Sequence, residues 1–154
     1  MCRGGVAVLI IYKTSMPDLS HISVEQETNI RLNRVFAQAI YVDDIEVAKE
    51  FYTKVLGMTI CQVEGAKSCF LGIGNNPQAI YLEGGHPPRV PDVNGACVSF
   101  MLCVENPEEA FEELSRRGVI TLQNKPMEMG GGSLWFQFID PSGNMIEMVS
   151  MAKS

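Results

Sequence analysis

Val42-Asp43-Asp44-Ile45-Glu46-Val47-Ala48 is echoed 62 positions later by Val104-Glu105-Asn106-Pro107-Glu108-Glu109-Ala110. Each stretch follows an apolar run and opens a helix-like pattern, which ends at Gly57 in the first copy and at Gly118 in the second. An interval this long is too large for a solenoid unit and predicts a duplicated module of one helix and several strands. Two such modules facing each other can enclose a site, and the residues at matched positions then limit its chemistry.

Working outward from the first stretch, residues 36–42 alternate as a strand does. Asp44 suits an N-cap, and Ile45, Ala48, Tyr52 and Val55 then fall on one helical face that Gly57 ends. Residues 58–63, 67–73 and 78–83 read as three short strands, with Asn75-Asn76-Pro77 turning the chain between the last two. Residues 84–95 form a Gly/Pro-rich connector. The second copy repeats the order with a strand at 97–104 and a helix capped by Asn106, with Pro107 at its first position. Ala110, Phe111 and Leu114 supply its apolar face, and Arg116 and Arg117 its C-terminal end. A brief strand at 119–122, a flexible break at Gly130-Gly131-Gly132, and strands at 134–139 and 145–151 around the turn Asp140-Pro141-Ser142-Gly143-Asn144 complete it. The expected class is α+β, βαβββ written twice, with modules at 35–84 and 96–151 of a domain spanning 35–151. Residues 1–34 read as an appendage in which 6–12 form an additional strand or a leader.

The chain of 154 residues is long enough for a real core, and 46% hydrophobic against 19% charged residues excludes a disordered polymer. With a net charge of −6 and no basic run, nucleic acid is not an expected partner. The run at 6–12 is too short to span a bilayer, so no membrane partner is expected. The five cysteines include no CxxC pair. Cys61, Cys69, Cys97 and Cys103 lie in apolar strand-like runs and read as small buried hydrophobes in a reducing cytoplasm.

Tyr41-Val42-Asp43-Asp44, Phe51-Tyr52-Thr53-Lys54-Val55-Leu56-Gly57 and Phe138-Ile139-Asp140-Pro141-Ser142-Gly143-Asn144-Met145-Ile146-Glu147, in this order and spacing, resemble the vicinal oxygen chelate superfamily. That group includes glyoxalase I, extradiol dioxygenases, fosfomycin-resistance enzymes and bleomycin-resistance proteins. The resemblance implies paired βαβββ modules forming a curled mixed sheet around a cup, and a homodimer whose modules pair across subunits. In metal-using members, four cup-facing residues, mostly His and Glu, hold one divalent ion. The first and third of those places fall on Ala37, which cannot ligate, and Ser99, a poor ligand. The fourth is Glu147, and the second falls on the strand where Tyr81 and Glu83 share a face. Strand parity turns Gln38 to the opposite face unless a bulge brings it inward. No cofactor is therefore expected; were a divalent metal to bind, its ligands would be Glu147, Glu83 and Gln38. His21 and His86, the two histidines, read as surface residues of the appendage and connector.

Parity from these positions places Ala37, Ala39, Tyr41, Tyr81, Glu83, Ser99, Met101, Cys103, Met145, Glu147 and Val149 toward the cup. Ile40, Val42, Phe100, Leu102 and Val104 then pack on the helices. The ligand-binding set is Ala37, Ala39, Tyr41, Tyr81, Ser99, Met101, Trp135 and Glu147, with Trp135 either closing over the cup on a glycine hinge or buried in a strand. An apolar cup with one carboxylate suits a small molecule. Glu147 could transfer a proton, pair with a cation assisted by Tyr41 and Tyr81, or be a relic. The leading expectation is a cytoplasmic, metal-independent binder of a partly aromatic or cationic compound. The alternatives are a divalent-metal lyase or dioxygenase, and a protein-interaction module.

Overall fold

Asp44 and Asn106 each start a helix by turning a side-chain oxygen onto backbone N–H groups that no helical carbonyl reaches. Asp44 Oδ1 accepts from Glu46 and Val47 at 2.9 and 3.2 Å, and Asn106 Oδ1 from Glu109 at 3.3 Å. The computed structural model describes residues 33–90 and 98–151, of which Arg34 onward form one compact unit. Module one contains β1 (Gln38–Tyr41), α1 (Ile45–Glu50) continued by a π-helical segment (Phe51–Val55), β2 (Thr59–Glu64), β3 (Ser68–Ile73) and β4 (Asn76–Glu83). Module two contains β5 (Val98–Cys103), α2 (Pro107–Arg116), β6 (Met127–Gly130), β7 (Ser133–Ile139) and β8 (Met145–Val149). The sheets run β1-β4-β3-β2 and β5-β8-β7-β6. In each, the first and last strands of the module pair in parallel and the remaining pairs are antiparallel. The βαβββ duplication expected from the sequence is present. The expected strand or leader at 6–12, together with Cys2, His21 and Cys97, lies outside the described residues.

The two helices differ by one residue, and the backbone shows where it goes. At the end of α2, Val119 N–H donates to Leu114 O and Gly118 N–H to Ser115 O, both at 3.0 Å, with Gly118 at φ +78°. This pair of bonds closes the helix in a Schellman motif, which needs the left-handed residue that glycine supplies. In module one, Met58 N–H reaches one residue further back, to Tyr52 O at 3.0 Å, and Leu56 N–H bonds Phe51 O at 3.2 Å. The π-helical segment absorbs the extra residue, so Gly57 (φ +72°) ends its helix as Gly118 does. It also points both Phe51 and Tyr52 into the interior.

One core serves both modules. Ile40, Val42, Leu71 and Leu82 from the first sheet join Phe136, Phe138, Ile146 and Met148 from the second, with Ala48, Tyr52 and Leu114 of the helices. Phe51 lies 6.4 Å from Phe138 and Tyr52 stacks on Phe100 at 6.5 Å, so the π-helical continuation of α1 packs against the second sheet. Full burial of each large side chain here contributes roughly 1.5–3 kcal/mol.

A polar staple joins the modules at the β7–β8 turn. The Asp140 carboxylate, almost wholly buried, accepts from the Tyr52 hydroxyl (2.9 Å), the Ser142 and Asn144 N–H groups (2.9 and 2.8 Å) and Asn144 Nδ2 (2.9 Å). Asn144 Nδ2 also donates to Tyr41 O at 3.1 Å, while Asn144 Oδ1 has no partner among the described residues. The Ser142 hydroxyl donates to Asp43 at 2.6 Å and holds that carboxyl below its usual range. Gly143 is required twice over: its φ is +82°, and a Cβ there would lie 2.0 Å from Arg89 O.

Several local expectations are corrected. Gly74 and Asn75 turn the chain between β3 and β4, and Asn76 and Pro77 already belong to β4. Residues 119–122 do not form a strand: a Thr121–Phe138 bridge and two flanking backbone bonds attach them to β7. The edge strand is β6 instead, which the four exposed residues 127–130 build. Gly131 and Gly132 (φ +61° and +77°) are the two-residue turn of the β6–β7 hairpin, where both positions need positive φ, so the glycine run is no hinge. Cys69 is buried, and burial pushes its thiol up, whereas Cys61 and Cys103 are exposed. Cys61 is displaced by a bulge between Ile60 and Gln62.

Burial first, and then the charge and hydrogen bond of Asp140, hold the Tyr52 phenol well above its ordinary range. A folded-state value raised in this way gives stability that is complete below about pH 10 and is lost as pH rises further. Tyr52→Phe leaves Asp140 short of a donor and is expected to destabilise the protein by about 1–3 kcal/mol at neutral pH. Urea melts should show the gap from the parent narrowing above about pH 10. A gap that stays constant with pH would contradict this account.

Candidate functional site

Because the helix-side faces of both sheets share one core, the opposite faces of the two sheets turn away from it. These outer faces carry the residues expected to line the cup. On the second sheet, direct cross-strand partners form two rows. One runs Cys103–Val149–Trp135–Met127 and is apolar. The other runs Met101–Glu147–Gln137. Gln137 Nε2 donates to Glu147 Oε2 at 3.1 Å, Gln123 Nε2 to Gln137 Oε1 at 3.3 Å, and the Gln137 backbone N–H to Gln123 Oε1 at 2.7 Å. Glu147 is therefore a half-buried carboxylate supported by two amides, not the lone carboxylate of an apolar cup. Trp135 is half-buried in β7 on this face, neither lid nor core.

On the first sheet the rows are Ala39–Tyr81–Phe70–Gln62 and Tyr41–Glu83–Ser68–Glu64. Phe70 packs on Tyr81 at 5.1 Å and takes the Phe36 ring edge-on at 5.8 Å, giving a continuous aromatic wall. Beyond it, His86 lies 4.6 Å from the Tyr41 ring, and its Nε2 is 3.2 Å from Glu83 Oε1. The Gly84-Gly85 turn brings His86 there. Gly85 N–H bonds Asp43 O and His86 N–H bonds Val42 O, both at 3.0 Å, and Gly84 sits so close to Ile45 that a Cβ would meet it at 2.8 Å. His86 is not a detached connector residue.

Of the residues singled out from the sequence, Ala39, Tyr41, Tyr81 and Glu83 come together on the first face, and Met101, Trp135 and Glu147 on the second. Ala37 precedes β1, and Ser99 sits at a bulge between Val98 and Phe100. Met145 is buried, at 4% exposure, and does not line the second face. The pairing of β1 with β4 is unbroken, so no bulge turns Gln38 inward, and its amide donates to Ala39 O instead. Phe36, Phe70, His86, Gln123 and Gln137 were missed. Strand pairing reveals Phe70 and Gln137, and the path of the loops brings in Phe36, His86 and Gln123; the alternation of Trp135 and Gln137 with Phe136 and Phe138 carried part of the signal.

The donor set does not fit a metal within one chain. Among the described residues no three His, Cys, Asp or Glu side chains converge, and Glu147 and the Glu83–His86 pair lie on different sheets. Both faces are open in the single chain, with Tyr41 41% and Met101 55% exposed. A groove of about 500 Å³ at the start of α2, lined by Asn106, Leu134 and Met151, shares only Cys103 with these faces. No described helix is long and apolar enough to cross a membrane.

Comparison with known proteins finds the same fold. TnmS3, an antibiotic binding protein from Streptomyces sp. CB03234, superposes with a TM-score of 0.62 at 21% identity, covering 79% of this chain and 98% of its own. A superfamily member from Sphaerobacter thermophilus gives 0.62 at 22% identity over 78% and 98% of the chains. Lactoylglutathione lyase from Agrobacterium tumefaciens gives 0.56 at 20% identity over 77% and 94%. At these identities the likeness is one of fold, which hosts a binder and a lyase alike. No curated protein sequence matches the chain. The family model described as Glyoxalase/Bleomycin resistance protein/Dioxygenase superfamily matches residues 31–148, and the chain belongs to that superfamily.

Proposed function

We propose that this protein binds a small aromatic cation without a metal, in a cup between the first-sheet face of one copy and the second-sheet face of another. The observation that carries the reading is the pair of complementary open faces, an aromatic wall edged by Glu83 on one and the amide-supported Glu147 on the other. Such a cup supplies cation–π attraction and a carboxylate, and none of the strand residues in the four rows is basic. The absence of donor side chains at Ala37 and the weakness of Ser99 support independence from a metal. The antibiotic-binding neighbour shows that this fold can serve a binder. In this reading the protein works in the cytoplasm as a homodimer.

A second reading, a divalent-metal enzyme, draws on one observation: the His86 imidazole beside Glu83 enriches the first face with a donor that the sequence did not place there. Metal analysis separates the two readings. The purified protein is expected to carry far less than one equivalent of Ni²⁺, Zn²⁺, Mn²⁺ or Fe²⁺, and a stoichiometric metal lost on Glu147→Gln would overturn the metal-free reading.

Trp135, the single tryptophan of the chain, gives a direct binding signal from the second face. Benzyltrimethylammonium should quench its fluorescence saturably. Tyr81→Leu should weaken binding by about two- to fivefold through lost cation–π attraction, and Glu147→Gln by about two- to fivefold through lost charge attraction, since the quaternary head has no N–H to donate. Light scattering should give twice the 17.0 kDa chain mass. A monomer that still binds the cation would place the cup elsewhere.

A further inference from the structure

We propose that Gln123 and Gln137 are positioning residues that hold Glu147 with one oxygen engaged and the other, Oε1, presented to an N–H donor of the ligand, so that a primary ammonium is preferred over a fully alkylated one. The inference rests on the small-molecule reading above and names the group that the cup selects. The two amides have no freedom in their orientation. At one end Glu147 Oε2 faces the Gln137 amide and leaves only its Nε2 able to donate (3.1 Å). At the other end the Gln137 backbone N–H can only donate, which turns Gln123 Oε1 toward it (2.7 Å) and leaves Gln123 Nε2 for Gln137 Oε1 (3.3 Å). The chain of bonds runs from the backbone of β7 to one carboxylate oxygen and holds that oxygen in place.

No donor among the described residues reaches Glu147 Oε1. Its cross-strand neighbour Met101 offers none and is 55% exposed, so the oxygen opens toward the face. An aromatic face by itself favours the more weakly hydrated trimethylammonium head, through cation–π attraction. A primary ammonium wins only where an acceptor already stands in the direction of its N–H bond, which is the arrangement the two glutamines impose.

The test compares phenethylamine with N,N,N-trimethylphenethylammonium, equal in charge and ring but with and without N–H groups, by Trp135 fluorescence on the full chain. The parent should prefer phenethylamine by about tenfold, the size of one charge-assisted hydrogen bond. Gln137→Met and Gln123→Met should each collapse the preference to within about twofold, read as the ratio of the two probes' affinities within each variant. Thermal melts confirm that each variant is folded, and the two variants, read separately, guard against one failing to fold. A parent without preference, or a preference that survives both substitutions, overturns the proposal while leaving the small-molecule reading standing. If neither probe binds at all, both readings fall.

Discussion

The buried Asp140 carboxylate is the constraint on which the rest of the structure depends. A charge removed from water is tolerated only when donors surround it, and here they come from both halves of the chain. Tyr52 reaches it from module one, while the turn residues Ser142 and Asn144 reach it from module two. Asn144 extends the contact to the end of β1 through Tyr41 O. The most recognisable motif of the family is thus, in this chain, the device that locks the two modules together. Glu147 leaves it three residues later on the opposite face of β8, so the joint also sets where the candidate site residue stands.

The one-residue difference between the helices belongs to the same arrangement. A regular helix from Asp44 to Gly57 would turn the residues on one side of the insertion by about 100° relative to the other. The π-helical segment takes up the extra residue and directs Phe51 and Tyr52 together into the core, where Tyr52 meets Asp140 and Phe100. Duplicated modules can therefore diverge in length where the backbone absorbs the change, and the insertion here falls beside the contact that joins them.

Much of this was legible in the residues. Asp44, Asn106, Gly57 and Gly118 mark the helix ends because capping is a local interaction. Ile40, Val42, Phe100 and Leu102 lie on the helix side because successive strand residues alternate faces. The misses share a cause as well. The edge strand β6 is only four exposed residues long, too short for its alternation to stand out, and exists because β7 offers it a partner through the Gly131–Gly132 turn. Cys61 and Cys103 are open to solvent although their runs are apolar: one sits at a bulge and the other on an uncovered face.

Local order determined the two βαβββ modules, the caps, the side of each strand that faces the core, and the loss of donors at Ala37 and Ser99. Each of these is decided by neighbours within a few positions along the chain or by matched places in the repeat. Tertiary structure alone decided that His86 returns to Tyr41 and Glu83, that Gln123 and Gln137 support Glu147, and that both candidate faces turn outward from a shared core. Those outcomes depend on strand register, on the path of loops and on which surfaces bury each other. No periodicity encodes them, because hydrogen bonds between side chains many residues apart form only after the sheets have fixed the distance between them.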